Sequence, residues 1–320
     1  MKKRICVVGG GSWGKNHIRT LNSIGALEGI VEISKDVVNE LLIKYPNIKI
    51  YSKLEDAIND DFDGFTIATP AETHFSIAKK IITSGRHLLI EKPMVLNVNE
   101  AEELVLLAKQ KKVNLMVGHV LLFHPAIQKI KQIIDDGVIG ELQYIYSNRL
   151  NLGKVRSEEN VFWSFAPHDI AIFQYLTESF PENIYAYGSV LLQRGIYDST
   201  MTHLEYKSGV NAHIFVSWMH PFKEHRLVVI GKKAMISFED SKEGKPLKLY
   251  SKTFDLSKGI PEKIDGPVRL ISYENKLPLT SELEYFVEHC SDKINNFANG
   301  EHGLEVVKIL VAASANLLQK

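Results

Sequence analysis

A glycine-rich turn directly after the first apolar run constrains the fold of this chain more than any other feature. Ile5–Val8 has the apolar character of a buried strand, and the next six residues satisfy the pattern G-x-G-x-x-G: Gly9-Gly10-Gly11-Ser12-Trp13-Gly14. In a dinucleotide-binding unit these glycines allow a tight turn, approach of the backbone to a pyrophosphate, and close helix–strand packing. The N–H groups that begin the next helix favour a phosphate. The pattern predicts a dinucleotide site, with an ordinary glycine-rich turn as the alternative.

The first 120 residues alternate short apolar runs with segments of helical periodicity. The apolar runs are predicted strands, at Ile5–Val8, Gly29–Ile33, Phe65–Ala68, Leu88–Ile90 and Leu115–Val117. Continuous apolar strands separated by helices are typical of a parallel sheet that is covered on both faces. We therefore predict an α/β domain over residues 1–120 that carries the dinucleotide site.

Residues 121–320 show a different pattern and form the second predicted domain. The chain is strand-rich from 183 to about 250, and turn signals at 207–209 and 231–233 predict antiparallel hairpins. The stretch 240–276 is rich in Lys, Gly and Pro and is predicted as irregular surface. Helices are predicted at 125–136, 167–177, 281–297 and 303–318. The second domain is expected to be an open, largely antiparallel sheet with helices on one face.

Charge and cysteine content exclude several classes of partner. Lys plus Arg and Asp plus Glu both number 38, so the chain has no net charge to attract nucleic acid or an anionic membrane. The apolar run after Lys2–Arg4 is too short for a signal peptide, and no run is long enough to span a bilayer. Cys6 and Cys290 have no metal-ligand spacing. We expect a soluble, cytoplasmic protein without a metal or disulfides.

Glu32 is the candidate ligand for the adenosine ribose. It ends the second predicted strand, eighteen residues after Gly14. A dinucleotide-binding unit places an acid there to accept hydrogen bonds from the ribose hydroxyls. Since a carboxylate repels a 2′-phosphate, Glu32 favours NAD over NADP, although Lys35 would soften that preference. The alternative is a solvated glutamate at a strand end.

Three polar segments supply candidates for the chemistry. Glu91-Lys92-Pro93 follows the strand at 88–90, at the carboxyl edge where such sheets bind ligands. The ammonium of Lys92, placed near a positively charged nicotinamide, would lose proton affinity and serve in proton transfer. The segment with Thr69, Pro70 and His74 forms the next turn along this edge, and His168 lies early in a predicted helix. Taken singly, Lys92 also fits a solvated loop and His168 a structural role.

The four segments together resemble one family. GGGSWG at 9–14, ATPAETH at 68–74, GRHLLIEKP at 85–93 and PHD at 167–169 match the order and spacing of the glucose–fructose oxidoreductase and inositol dehydrogenase family over essentially the full length. The resemblance implies an N-terminal Rossmann domain and a C-terminal α/β domain with an open sheet. It also implies an NAD(P)-dependent enzyme that oxidises or reduces sugars and related polyols.

The resemblance assigns roles to individual residues. It implies Lys92 and His168 as the catalytic residues, and it implies a cofactor site formed by Gly9, Gly11, Ser12, Trp13, Gly14, Glu32, Thr69, Pro70, His74, Glu91 and Lys92. Many relatives carry an Asp four residues before the histidine, where this chain has Ser164. Asp169 does not replace that acid directly, because it points about 100° further round the helix. The partner of His168 is therefore left open.

Within the family, the segments 160–169 and 217–223 look like those of members acting on nucleotide-linked sugars. Such members oxidise the third hydroxyl of the sugar, typically of UDP-N-acetylglucosamine or its uronate. Arg149, Lys154 and Arg156 would suit a diphosphate or a uronate, and equally fit a solvated loop. The candidate substrate-binding residues are Arg149, Arg156 and Asp169.

Two other functions stay open at this point. One is a dehydrogenase of a free sugar or inositol, and the other is a non-catalytic regulator that senses a sugar or a dinucleotide. Retention of Lys92 and His168 argues against the regulator. The second-domain sheet of the family usually packs against another subunit, so a homodimer or homotetramer is expected.

Overall fold

The computed structural model describes residues 2–157, 159–291 and 293–317. Along the chain the helices are α1 (Gly14–Ser23), α2 (Lys35–Lys44), α3 (Leu54–Ile58), α4 (Ala71–Thr83), α5 (Val98–Lys111), α6 (Pro125–Asp135), α7 (Val161–Thr177), α8 (Pro278–Glu288) and α9 (Gly300–Leu317). The strands are β1 (Ile5–Val8), β2 (Leu27–Val31), β3 (Lys49–Tyr51), β4 (Gly64–Ile67), β5 (His87–Glu91), β6 (Leu115–Gly118), β7 (Leu142–Leu152), β8 (Pro181–Ser189), β9 (Ser199–Tyr206), β10 (Asn211–Ser217), β11 (Met219–Gly231), β12 (Met235–Glu239), β13 (Leu247–Tyr250), β14 (Thr253–Asp255), β15 (Glu262–Ile264) and β16 (Val268–Ile271).

The chain divides into two compact units. The first contains the residues up to Phe123 together with Lys276–Lys308, and the second contains His124–Asn275 together with the residues from Ile309. The sequence pattern assigns all of 121–320 to the second domain. The stretch 276–308 lies in the first unit because α8 packs on α1, and because Gly300 and Gly303 of α9 lie against Leu115 and Val117 of β6.

The first unit is built on a six-stranded parallel sheet with the strand order β3-β2-β1-β4-β5-β6. The order reverses beside β1, because β2 and β3 lie on one side of it and the chain then crosses to β4 on the other side. In such sheets the crevice at the carboxyl ends of the strands, at this point of reversal, is where ligands bind. The predicted Rossmann architecture is confirmed, with β3 as an additional short edge strand.

The second unit contains an eight-stranded sheet with the order β16-β13-β12-β11-β7-β10-β9-β8. β7 and β10 are parallel, and the other neighbours are antiparallel. α7 covers one face through buried residues such as Ile145, Ala212 and Ile214. The other face exposes Tyr187 and Met201. The expected open, largely antiparallel sheet is confirmed.

Several predicted boundaries differ from the structure. The stretch 240–276, predicted as irregular, carries β13 to β16, and β7 was not predicted. α7 begins at Val161 instead of 167, because the Asn160 side chain caps it by accepting a hydrogen bond from the Trp163 N–H at 3.1 Å. The predicted helix 281–297 ends at Glu288, where the amide of Asn114 donates to the carbonyls of His289 and Lys293. Residue 318 of the predicted last helix lies outside the described residues.

No helix in the described part of the chain is long and apolar enough to cross a membrane.

Candidate active site

The glycine-rich turn combines two glycines that the fold requires with a third that adjoins open space. Gly9 adopts φ +95°, and a Cβ on Gly14 would lie 1.9 Å from the carbonyl oxygen of Gly9. These two positions therefore require glycine for the fold itself. A Cβ on Gly11, by contrast, would meet no described atom within 4 Å. The open space at Gly11 adjoins the start of α1, so the residues present fit a dinucleotide phosphate.

Glu32 is fixed beside this turn. It follows β2 directly, its Oε2 accepts a hydrogen bond from the Gly10 N–H at 2.6 Å, and its Oε1 accepts from the N–H groups of Ile33 and Ser34 at 2.7 and 2.8 Å. Three donors orient a carboxylate that has about four lone-pair sites, so acceptor capacity is left for a hydroxyl. The geometry is compatible with the predicted ribose contact, and Lys35 begins α2.

Glu91 joins α1 to the carboxyl edge of the sheet. Its Oε1 accepts hydrogen bonds from Nε1 of Trp13 and from Nε2 of His17, the latter at 2.8 Å. Its Oε2 accepts from the backbone N–H of Lys92 at 3.2 Å. The carboxylate lies across Gly118 of the neighbouring strand, where a Cβ would come within 2.9 Å. This carboxylate therefore fixes the backbone of Lys92 relative to the glycine-rich turn.

His17 was missed by the sequence reasoning. Its side chain is buried, and it lies four residues after Trp13, so both side chains share one face of α1. That spacing was present in the sequence and is the signal that could have found it.

His74 ties two loops of this edge together. One ring nitrogen is 2.9 Å from the Thr69 carbonyl oxygen and the other is 3.0 Å from that of Pro93. The Lys92–Pro93 peptide bond is cis. One nitrogen of His74 thus contacts the residue that follows Lys92, and this predicted cofactor residue holds the loop that carries the predicted catalytic lysine. Thr69 in turn bonds Thr73 through their hydroxyls at 2.7 Å, and Pro70 directly precedes α4.

His119 lies near Lys92 in the same unit. It is buried, and among the described residues neither of its ring nitrogens has a hydrogen-bond partner. Burial, then the charges of His302 and Lys92, holds the pKa of His119 well below its usual range. His119 is therefore a neutral, apolar-like neighbour of the lysine.

Two of the predicted substrate residues bind each other in the second unit. Nε and Nη2 of Arg149 donate to the two oxygens of Asp169 at 2.8 and 3.0 Å, and the Arg149 side chain is 11% exposed. This two-point pair joins β7 to α7, one residue from the half-buried His168. Burial, followed by the Arg149 charge, lowers the pKa of the neighbouring His225 to about 3. The pair therefore holds α7, the helix that carries His168, against β7. The sequence did not reveal this structural role.

Arg156 differs from Arg149 in its exposure. Its side chain is 52% exposed, and its Nη1 lies 3.0 Å from the carboxylate of Glu159.

In the described residues, no group of three or more His, Cys, Asp or Glu side chains is arranged to hold a metal ion.

Comparison with known proteins decides the family. Residues 3–119 match the model of an oxidoreductase family with an NAD-binding Rossmann fold, and residues 127–237 match the GFO/IDH/MocA C-terminal domain. The chain belongs to the GFO/IDH/MocA oxidoreductase family. It is therefore an NAD(P)-dependent oxidoreductase, as the sequence predicted.

Individual members of the GFO/IDH/MocA family match over much of the chain. UDP-N-acetylglucosamine 3-dehydrogenase from Acidithiobacillus ferrooxidans is 27% identical over 312 residues, which cover 95% of this chain and 94% of the relative. Inositol 2-dehydrogenase from Rhizobium meliloti is 24% identical over 256 residues, covering 76% and 77%.

Solved structures of the family superpose closely. The structure of UDP-N-acetylglucosamine 3-dehydrogenase from Acidithiobacillus ferrooxidans gives a TM-score of 0.87 at 24% identity, and the match covers 100% of both chains. GenD2 from gentamicin A biosynthesis, in complex with NAD, gives 0.83 at 20% identity and covers 100% of this chain and 95% of that chain. At these identities the likeness establishes the fold.

Proposed function

We propose that this protein is an NAD-dependent dehydrogenase that removes hydride from the third carbon of a UDP-linked amino sugar or its uronate. One observation carries the proposal: the glycine-rich turn, Glu32 and the Glu91–Lys92 segment at the end of β5 all lie at the carboxyl edge of one parallel sheet. The similarity to a UDP-N-acetylglucosamine 3-dehydrogenase over 95% of the chain supports this substrate class.

The proposed cofactor contacts lie in the first unit. When bound, NAD supplies the hydride acceptor. Gly9, Gly11 and Gly14, with Ser12 and Trp13, would hold its pyrophosphate at the start of α1. Glu32 would accept hydrogen bonds from the ribose hydroxyls and oppose a 2′-phosphate, so we propose NAD in preference to NADP. Thr69, Pro70, His74 and Glu91 complete the proposed cofactor site along the same edge.

Lys92 and His168 are the proposed catalytic residues. A carbinol carbon releases hydride readily only as its hydroxyl loses a proton, so a base must reach that oxygen. Lys92 has its backbone held by Glu91 and the following loop held by His74, and this supports a fixed position for its amine. Since Ser164 stands where relatives have an Asp, His168 is proposed as the second proton-transfer group without an acid from that position.

The substrate contacts are proposed in the second unit. Arg156 has an exposed guanidinium that suits a diphosphate or a uronate. Arg149 and Asp169 already bind each other, so we propose that they act on the substrate together, by positioning the segment that carries His168.

A panel of substrates tests the proposed function. The purified protein is given NAD or NADP with UDP-sugars, free sugars or inositol, and NADH or NADPH formation is followed. The proposal expects NADH with UDP-N-acetylglucosamine or its uronate. Turnover of free inositol alone would favour the second candidate, which the similarity to inositol 2-dehydrogenase supports. Dinucleotide binding without any turnover would favour a regulator.

We also propose a cytoplasmic location and a homodimer or homotetramer. Cys6 and Cys290 are both free and buried, which suits a reducing compartment. The exposed sheet face with Tyr187 and Met201 is the surface proposed to contact another subunit.

A further inference from the structure

A second carboxylic acid is buried near Glu91 and has no part in the proposed function. Glu282 lies in α8 and is 0% exposed. Among the described residues, neither of its carboxyl oxygens has a hydrogen-bond partner. An isolated ionised carboxylate in such a place is so costly that the group takes up a proton instead.

The packing of α8 brings Glu282 toward Glu91 at the end of β5. α8 packs on α1, which carries the His17 that bonds Glu91, and on the turn Val120–Phe123 that follows β6. One helical turn after Glu282, Phe286 lies over the sheet, 3.0 Å from where a Cβ on Gly64 would stand. The negative charge of Glu91 acts directly on Glu282. The two carboxyl groups therefore belong to one buried cluster within the first unit.

The hydrogen bonds decide which of the two carries the charge. Glu91 accepts from Trp13, His17 and the Lys92 backbone, whereas Glu282 has no such donor among the described residues. Two carboxylates that share a dry site do not both ionise. Burial, and then the Glu91 charge, holds the pKa of Glu282 well above its usual range.

The other titratable groups of this cluster are histidines and the lysine. His17 faces it from α1, and His119 follows β6 near His302 of α9, with their ring centroids 5.4 Å apart. Burial keeps the pKa of His119 low, so this ring adds no positive charge at neutral pH. Lys92 follows Glu91 directly, and its charge contributes to the low pKa of His119.

We propose that Glu282 carries a proton at neutral pH and thereby leaves Glu91 as the single negative charge of this buried pair. The Glu91 carboxylate accepts the hydrogen bonds of Trp13, His17 and the Lys92 backbone. A second negative charge, on Glu282, would have no hydrogen-bond donor among the described residues.

An infrared measurement on the protein without cofactor tests the proton directly. We expect the carbonyl stretch of a protonated carboxylic acid at neutral pH, its loss on alkaline titration, and its absence in Glu282→Gln. Glu284→Gln is the matched control, since Glu284 lies on the same helix, is 44% exposed and pairs with Lys276 at 2.6 Å. That control should keep the band. An unmodified protein without the band at neutral pH would overturn the proposal.

The pH dependence of unfolding gives an independent test. A carboxyl whose pKa is raised by folding stabilises the folded state fully below its unfolded pKa, and this stability is lost as the pH rises toward the folded pKa. The unfolding constant of the unmodified protein, divided by that of Glu282→Gln, should therefore rise with pH by up to about tenfold per unit. The same ratio taken with Glu284→Gln should stay flat. A flat ratio for Glu282→Gln would contradict the proposal.

The proton on Glu282 can be decided separately from the proposed function. If no sugar is oxidised at all, the proposed function fails, while the infrared and unfolding results still decide the proton.

Discussion

The carboxylate of Glu32 accepts three hydrogen bonds from the backbone of its own chain. Those bonds fix the orientation of the group, and we propose that its charge then discriminates between a ribose hydroxyl and a 2′-phosphate. Glu32→Ala should narrow the preference for NAD over NADP, which we expect to be about 1–3 kcal/mol for a charged hydrogen-bonding group. Dissociation constants of both cofactors, measured for both proteins, check this. Equal affinity for NAD and NADP in the unmodified protein would contradict the assignment.

Lys92 is the residue on which the proposed proton transfer depends most. Lys92→Ala should lower turnover by about a hundredfold or more, the scale of a positioned acid–base group, while NAD affinity changes little. His168→Ala should act similarly if His168 shares the proton. Lys44→Ala, at an exposed position in the last turn of α2, is the control. Steady-state kinetics and cofactor titration measure both quantities, and normal turnover in the Lys92 variant would remove the catalytic lysine.

Some site residues could be predicted from the sequence because their role depends on local spacing. The glycines, Glu32 and the Glu91–Lys92 step all stand at fixed positions relative to an apolar run. The pair of Arg149 with Asp169 and the buried Glu282 could not be predicted this way. Their contacts join segments that are distant in the chain, so no local pattern reports them.

Gly11 and Gly14, which lie close together between β1 and the first turn of α1, should respond differently to substitution by alanine. Gly14→Ala would place a Cβ 1.9 Å from the Gly9 carbonyl oxygen, and we expect it to destabilise the fold by about 1–3 kcal/mol. Gly11→Ala meets no described protein atom within 4 Å, so stability should change by less than about 0.5 kcal/mol. NAD affinity should nevertheless fall in Gly11→Ala, because the methyl group occupies the phosphate approach.

Denaturant unfolding and NAD titration of the two glycine variants separate these effects. A Gly11→Ala protein that binds NAD as tightly as the unmodified protein would contradict the placement of the pyrophosphate.

The elements of the first sheet were easier to predict than those of the second. Strands such as β1 and β4 are buried along their whole length and therefore read as continuous apolar runs. β7 alternates buried residues with half-buried Tyr and Asn, and β16 is largely exposed. Strands of that kind are defined by their neighbours in the sheet, which sequence alone does not reveal.

The two units are interleaved in the chain, since the first is completed only by Lys276–Lys308. The helical pattern of this stretch was evident from the sequence. The sequence did not show that this stretch packs in the first unit. That placement depends on contacts between distant segments, such as those between α8 and α1.

Assembly of the whole molecule is a further expectation. The uncovered face of the second sheet presents Tyr187, Met201 and Leu270, which are large apolar side chains in contact with solvent. We expect a homodimer or homotetramer in which this face is buried. Light scattering at micromolar concentration measures the mass, and a monomer would contradict the expectation. Met201→Lys should weaken the assembly, because it introduces a charge into the buried face.

The central claim, that hydride leaves the third carbon of a UDP-linked sugar, is tested most directly with an isotope. UDP-N-acetylglucosamine carrying deuterium at that carbon is incubated with the protein and NAD, and the mass of the NADH formed is measured. The account predicts NADH that carries one deuterium. NADH without deuterium, or no NADH from this sugar while free inositol is oxidised, would contradict it.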